Sequence, residues 1–248
     1  FQDVSFNGDQ IVFSVSKIVE YINNVQSKLG VLLIDIKTDE VKDELWEKIS
    51  IFYSFYGANY DPDDFRIKYL KFITKMTEVS GDPLIVEIYL EDVFFQLFKK
   101  KKVKPKKRVV REAARIFRLL SLEKLGLYPY TLQVLNELKD AGKKLYILTN
   151  AQSCFTRNEL VALGLDGLFD GAYLSSEIGL KKPSEDAFGV VMKENNLDPK
   201  KTIMIGNEYG TDIEGANRIG IDSIFIQSNI VNEDEKPCES TYKIKNGD

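Results

Sequence analysis

The chain has 248 residues, with 34 lysines and arginines against 38 acids and a formal net charge of −4. It contains no histidine, which excludes a Ser-His-Asp triad, a Cys-His dyad, a histidine base and a His-ligated zinc. Two cysteines, Cys154 and Cys238, are too few for a four-cysteine metal site or a disulfide framework. A cytoplasmic protein is expected, and with no apolar run near the roughly 18 residues of a membrane helix, no membrane partner.

Residues 1–20 read as an N-terminal β-hairpin extension. Val4 and Phe6 alternate before Asn7-Gly8, and Ile11 and Phe13 alternate after it, which is the strongest short hairpin signal. Residues 21–36 end in the continuous apolar run Val31-Leu32-Leu33-Ile34, expected as a buried strand. Residues 37–125 read as helical and charged. Within them, rings recur at spacings of three and four, as in Phe65, Tyr69 and Phe72. That spacing suits a helical core face, with a lid over a substrate pocket as the alternative.

Residues 99–118 hold seven lysines and four arginines against Glu112 alone, a net +10 that leaves −14 for the rest of the chain. The segment reads as a solvated basic connection. A docking patch for an anionic ligand, nucleic acid or acidic partner is the alternative. Nucleic acid is disfavoured, because few aromatic residues interleave the cations.

From Leu127 short apolar strands alternate with helices. Strands are expected at 145–148, 172–174, 202–205 and 223–226. Helices are expected at 131–141, 157–163, from Pro183, and at 212–219. The alternation predicts an α/β fold with a doubly wound parallel sheet, whose ligands bind beyond the carboxyl ends of the strands. Thr149 and Asn150 follow the first of these strands, Lys182 precedes Pro183, and Glu208 and Asp212 follow strand 202–205. A hydroxyl with free amides can hold phosphoryl oxygens, a lysine neutralises them, and a Glu/Asp pair suits Mg²⁺. These are the parts of a phosphoryl-transfer site.

The order of these parts resembles the haloacid dehalogenase (HAD) superfamily of hydrolases. Leu145-Tyr146-Ile147-Leu148-Thr149-Asn150 is similar to its motif II, and Gly179-Leu180-Lys181-Lys182-Pro183 to motif III. Ile203 through Gly206-Asn207-Glu208 and on to Asp212 is similar to motif IV. The resemblance implies a HAD-like Rossmannoid core, residues 21–36 and 126–248, with a mostly helical cap, residues 37–125, inserted after the first core strand. It implies a Mg²⁺-dependent phosphatase acting on a small phosphorylated molecule. Thr149, Asn150 and Lys182 would bind phosphate, with Thr149 and Lys182 catalytic, and Glu208 and Asp212 would hold the metal.

The family's motif I, Asp-x-Asp-x-Thr at the end of the central strand, has no intact copy. In the register set by the cap, the nucleophile position falls on Ser27 or Lys28. Phe6-Asn7-Gly8-Asp9 and the stretch from Asp35 to Thr38 are other candidates. Weakened or lost catalysis is therefore expected. The alternative is a non-catalytic protein that binds a phosphorylated ligand, a polyanion through residues 99–118, or a protein partner through the N-terminal hairpin.

Overall fold

The computed structural model describes residues 10–13, 34–38, 42–79, 81–82, 85–226 and 236–244. In chain order the elements begin with β1 (Gln10–Phe13), β2 (Ile34–Thr38), α1 (Asp43–Phe55) and α2 (Pro62–Val79). They continue with α3 (Leu90–Lys100), α4 (Lys107–Ser121), β3 (Leu122–Leu127), α5 (Thr131–Asp140) and β4 (Lys144–Thr149). Next come α6 (Ser153–Ala162), β5 (Gly171–Leu174), α7 (Ser175–Ile178), α8 (Glu185–Glu194) and β6 (Thr202–Gly206). The last are α9 (Glu214–Ile219), β7 (Asp222–Ile226) and β8 (Tyr242–Ile244).

Six strands form one sheet in the order β5-β4-β1-β6-β7-β8, with every pairing parallel. Side chains alternate faces along a strand, and the packing follows. Leu145 and Ile147 of β4 meet Val134, Leu135 and Leu160 on one face. Tyr146 and Leu148 meet Phe188, Val191 and Ala216 on the other. Helices thus cover both faces, and the sheet is doubly wound.

The two ends of the chain's first half differ from expectation. Gln10–Phe13 pairs in parallel with β4 on one edge and β6 on the other. With both edges occupied, these residues have no place for an antiparallel hairpin partner, and they form the central strand instead. They also offer no free edge to a neighbouring protein. Residues 1–9 lie outside the described residues. Ile34, the described end of the run expected as a core strand, lies instead in β2, which pairs antiparallel with β3 as a separate ribbon. Asp35 lies on that ribbon, ion-paired to Lys124, and so does not stand at a core strand end.

The β2–β3 ribbon leads into and out of the helices α1 to α4. They enclose their own core, in which Trp46, Tyr53, Phe65, Phe94, Phe98 and Phe117 are buried. Tyr53 stacks on Phe98 with ring centroids 3.9 Å apart. The rings spaced at three and four thus form a helical core face.

Candidate functional site

The carboxyl ends of β4 and β6 bring most of the expected residues together. Thr149 closes β4 and is buried. Asn150 follows it and spends its side chain on the backbone of Lys182. The Lys182 N–H donates to Asn150 Oδ1 (2.8 Å), and Asn150 Nδ2 donates to the Lys182 carbonyl (3.0 Å). This reciprocal amide pair fixes the loop before α8. Ser184 then caps α8 by accepting the Ala187 N–H (3.1 Å), as a helix start with Ser and acids in its first turn should.

Lys182 is 2% exposed and its ammonium lies 2.5 Å from Asp212 Oδ1. Asp212 is 0% exposed. Its Oδ2 accepts the N–H groups of Asn207 (3.0 Å) and Glu208 (3.2 Å). The helix expected from Asp212 begins as one wide turn, Tyr209–Ile213, where the Ile213 N–H reaches back to the Glu208 carbonyl. That turn folds the Asp212 carboxylate back over the end of β6. A Cβ at Gly206 would overlap the carboxylate, so only glycine permits this approach. Glu208 stands apart, with Oε2 accepting the Thr211 hydroxyl (2.7 Å).

Among the described residues, the donor set around Asp212 does not fit magnesium, the metal the family resemblance implies. Mg²⁺ demands open, hard oxygen ligands in octahedral array. Both oxygens of Asp212 are committed to an ammonium and two amides. Among the described residues no three acids, cysteines or histidines gather to hold a metal ion.

Beside this pair is a cavity of about 240 Å³, lined at its floor by Thr149, Asn150, Ala151 and Gln152. Its other walls come from Ile34 and Ile36 of β2, Arg118 of α4, Phe155, Thr156 and Glu159 of α6, and Glu87. Arg118 Nε donates to Glu159 Oε1 (2.6 Å), and its guanidinium lies 4.8 Å from the Phe155 ring centre. Lys182, Glu208 and Asp212 are not among the cavity's lining residues. Thr149 and Asn150 thus line the cavity, and Lys182, joined to it through Asn150, closes an ion pair with Asp212.

Glu87 has no sequence signal. It belongs to the segment before α3, which docks on the core at residues 179–181. The Glu87 N–H donates to the Gly179 carbonyl (3.2 Å), and the Lys181 N–H to the Ile85 carbonyl (2.7 Å). Gln152 clasps the same segment, donating to the Ile88 carbonyl (2.9 Å) and accepting the Leu90 N–H (3.0 Å). Ser175 Oγ donates to Glu87 Oε2 (2.5 Å) and accepts the Ala151 N–H (2.8 Å). Glu87 thus brings a carboxylate to the wall of the cleft.

Cys154 does not supply an alternative nucleophile. It is buried against the core of α1 to α4, and that burial pushes its thiol up to about 12. The thiolate, the reactive form, is thereby suppressed.

A doubly wound sheet of this strand order, a ribbon carrying helices after its central strand, and a Lys–Asp pair at the strand ends define a HAD-type hydrolase. The chain belongs to the haloacid dehalogenase-like hydrolase family, whose sequence model matches residues 70–226. It is similar to the glyceraldehyde 3-phosphate phosphatase of Methanopyrus kandleri, at 23% identity over 224 residues, which cover 90% of this chain and 83% of that protein. It is also similar to the glyceraldehyde 3-phosphate phosphatase of Methanothermobacter thermautotrophicus, 28% identical over 112 residues. That match covers 45% of this chain and spans only half the length of that relative, 50%. A HAD phosphatase from Thermococcus onnurineus shares the fold, with a TM-score of 0.56 at 18% identity, covering 95% of this chain and 93% of that one.

Proposed function

We propose that this chain is a phosphatase-type HAD protein whose turnover is weakened or lost and which keeps a cleft for a small phosphorylated ligand. The observation that carries this reading is the position of β1. It is the central strand, and the residues that follow it in the sequence are Ser14-Val15-Ser16-Lys17-Ile18. In the family, the nucleophilic aspartate and its partner are expected at the end of that strand. This register replaces Ser27, Lys28, Asn7 and Asp9, which lie outside the described residues, and Asp35, which lies on the ribbon.

The chemistry follows from the side chains. A serine hydroxyl is a weak nucleophile without a base to activate it, and the chain has no histidine. In sequence, Ser14 and Ser16 stand where the resemblance expects the nucleophilic, metal-holding aspartate and its acid–base partner, and Asp212 is closed on Lys182. Thr149 and Asn150 remain at the cleft floor and are assigned to the phosphoryl oxygens. Lys182, whose backbone Asn150 holds, is assigned to charge compensation. Helices α1 to α4 act as the cap over the cleft, and the segment before α3 brings Glu87 to its wall.

The test is paired binding and turnover. Titration calorimetry with inorganic phosphate should show binding that weakens about 10- to 100-fold in Thr149→Val, the size of one hydrogen bond to a charged group. Phosphate release from glyceraldehyde 3-phosphate, phosphoserine and phosphoglycolate with Mg²⁺ should not exceed that of Thr149→Val. Mg²⁺-dependent release abolished by Thr149→Val would overturn the loss of turnover. Phosphate binding untouched by Thr149→Val would overturn the cleft assignment.

A further inference from the structure

Helices α1 to α4 have a root at the core and a tip away from it. The root is fixed by Gln152, which holds the start of α3. The tip is the end of α1, the start of α2 and the turn between α3 and α4. Residues 99–108 at this turn contain eight cations and no acid. Lys99, Lys100, Lys102, Lys104, Lys106 and Lys107 are exposed. Lys101 lies over the Tyr60 ring at 4.2 Å and 3.9 Å from Asp64, which with Asp61 and Asp63 puts three acids at the start of α2 against these eight cations, and Arg108 reaches Glu112 at 3.3 Å. No described acid forms an ion pair with Lys100, Lys102, Lys104, Lys106 or Lys107.

Stability does not account for this arrangement. Like charges crowded on one turn repel, and α4 opens with Lys107 and Arg108 and no acid in its first turn. Positive charge there opposes the helix dipole. Asp64 and Glu112 offset only Lys101 and Arg108, and a local rule broken at the remaining lysines points to function.

An exposed aromatic residue shares the tip. Phe55, the last residue of α1, is 83% exposed, and Ile51, one turn earlier on the same face, is 67% exposed. Phe55 packs edge-on to Tyr56 at 5.2 Å, and Tyr56 reaches Phe98 at the end of α3 at 6.3 Å. Gly57, two residues on, lies against Val103 in the basic turn. The apolar and cationic groups thus form one surface.

We propose that this tip docks on an anionic membrane surface, with the lysines against the headgroups and Phe55 with Ile51 entering the headgroup boundary. Cations flanking an exposed aromatic residue are the combination that binds a charged bilayer without spanning it. No helix among the described residues is long and apolar enough to cross a membrane, so the contact is peripheral. Single-stranded nucleic acid fits less well. Tyr60 and Phe98 are buried beneath the turn, which leaves Phe55 without a second exposed ring there on which successive bases could stack.

The experiment is co-sedimentation of the intact chain with vesicles of phosphatidylcholine alone and of phosphatidylcholine mixed with phosphatidylserine. Binding should be confined to the mixed vesicles and should fall as salt rises. The triple variant Lys102→Glu, Lys104→Glu, Lys106→Glu should bind about 100-fold more weakly, and Phe55→Ser about tenfold more weakly. Both variants alter exposed residues and should retain the circular dichroism spectrum and the phosphate affinity of the unaltered chain. That affinity separates failure here from failure of the cleft assignment. No sedimentation with mixed vesicles, or equal sedimentation of the triple variant, would overturn the proposal. So would binding to single-stranded DNA or to an acidic polypeptide at salt that abolishes vesicle binding.

Discussion

Lys182 and the lysines of the helical tip place one kind of side chain in opposite surroundings. Lys182 is withdrawn from water and meets the Asp212 carboxylate at 2.5 Å, with side-chain exposures of 1% and 0%. Lys102, Lys104 and Lys106 are exposed and meet no described acid. A buried ammonium must be compensated within the fold, because desolvation costs several kcal/mol per ion. An exposed one is compensated by water and salt, and is free to meet an anion from outside. The same chain therefore uses lysine once as an internal brace and several times as a contact surface.

Removing the counter-charge at the buried end is the strongest way to break this comparison. Asp212→Asn leaves Lys182 with a neutral amide and weakens two amide contacts from Asn207 and Glu208. The expected loss is about 3–5 kcal/mol of unfolding free energy. Lys102→Ala at the tip should change stability by less than about 0.5 kcal/mol. Urea unfolding of both variants checks this. Similar costs at the two positions would mean that burial does not separate them. Replacing both partners, Lys182→Met with Asp212→Asn, should recover much of the loss, since no charge is then buried without its counter-charge and the amide oxygen can still accept the Asn207 and Glu208 N–H groups.

A smaller effect separates the root of the helices from their tip. Gln152→Ala removes two bonds that hold residues 88 and 90 against the core. Each net hydrogen bond contributes about 0.5–1.5 kcal/mol, so a loss of about 1–3 kcal/mol is expected. The informative readout is hydrogen exchange by residue. Amides of residues 85–90 should exchange faster, while those of β4 and β6 keep their protection. Uniform acceleration over the whole chain would mean that the segment is not a local clasp.

The strand ends were legible in the sequence because each is a short apolar run followed at once by a polar cluster. Thr149, Lys182 and Asp212 could be placed on that basis. Their bonding could not, since Lys182 and Asp212 meet across 30 positions of chain. β1 departs from the expected hairpin for a physical reason. Ile11-Val12-Phe13 is a three-residue apolar run, and Asn7-Gly8 beside it signals a hairpin. A run that short does not say which sheet it joins. The longer run ending at Ile34 looked the better core strand, yet its described end lies in the ribbon. Glu87, Gln152 and Ser175 were hidden altogether, because Glu87 and Ser175 are 88 positions apart and only the tertiary fold brings them together.

Between the two extremes stands a pair that is neither buried nor free, Lys144 and Asp170. Their side chains are 60% and 24% exposed, and Lys144 Nζ lies 2.9 Å from Asp170 Oδ1. Asp170 Oδ2 also accepts the Leu145 N–H (3.0 Å), tying the approach to β5 to the start of β4. Partial burial alone would raise the Asp170 carboxyl. The Leu145 N–H and the Lys144 ammonium outweigh it and hold the group below the usual carboxylate range. A carboxyl depressed in the folded state adds stability that is present above its unfolded value, near pH 4, and lost as pH falls through its folded value. The stability difference between the unaltered chain and Asp170→Asn should therefore be steady from neutral pH down to about pH 5 and shrink below about pH 4. Urea unfolding across that range checks the sign. A difference that grew on acidification would mean that burial, not the amide and the ammonium, governs this carboxyl, and would move the pair toward the Lys182 extreme.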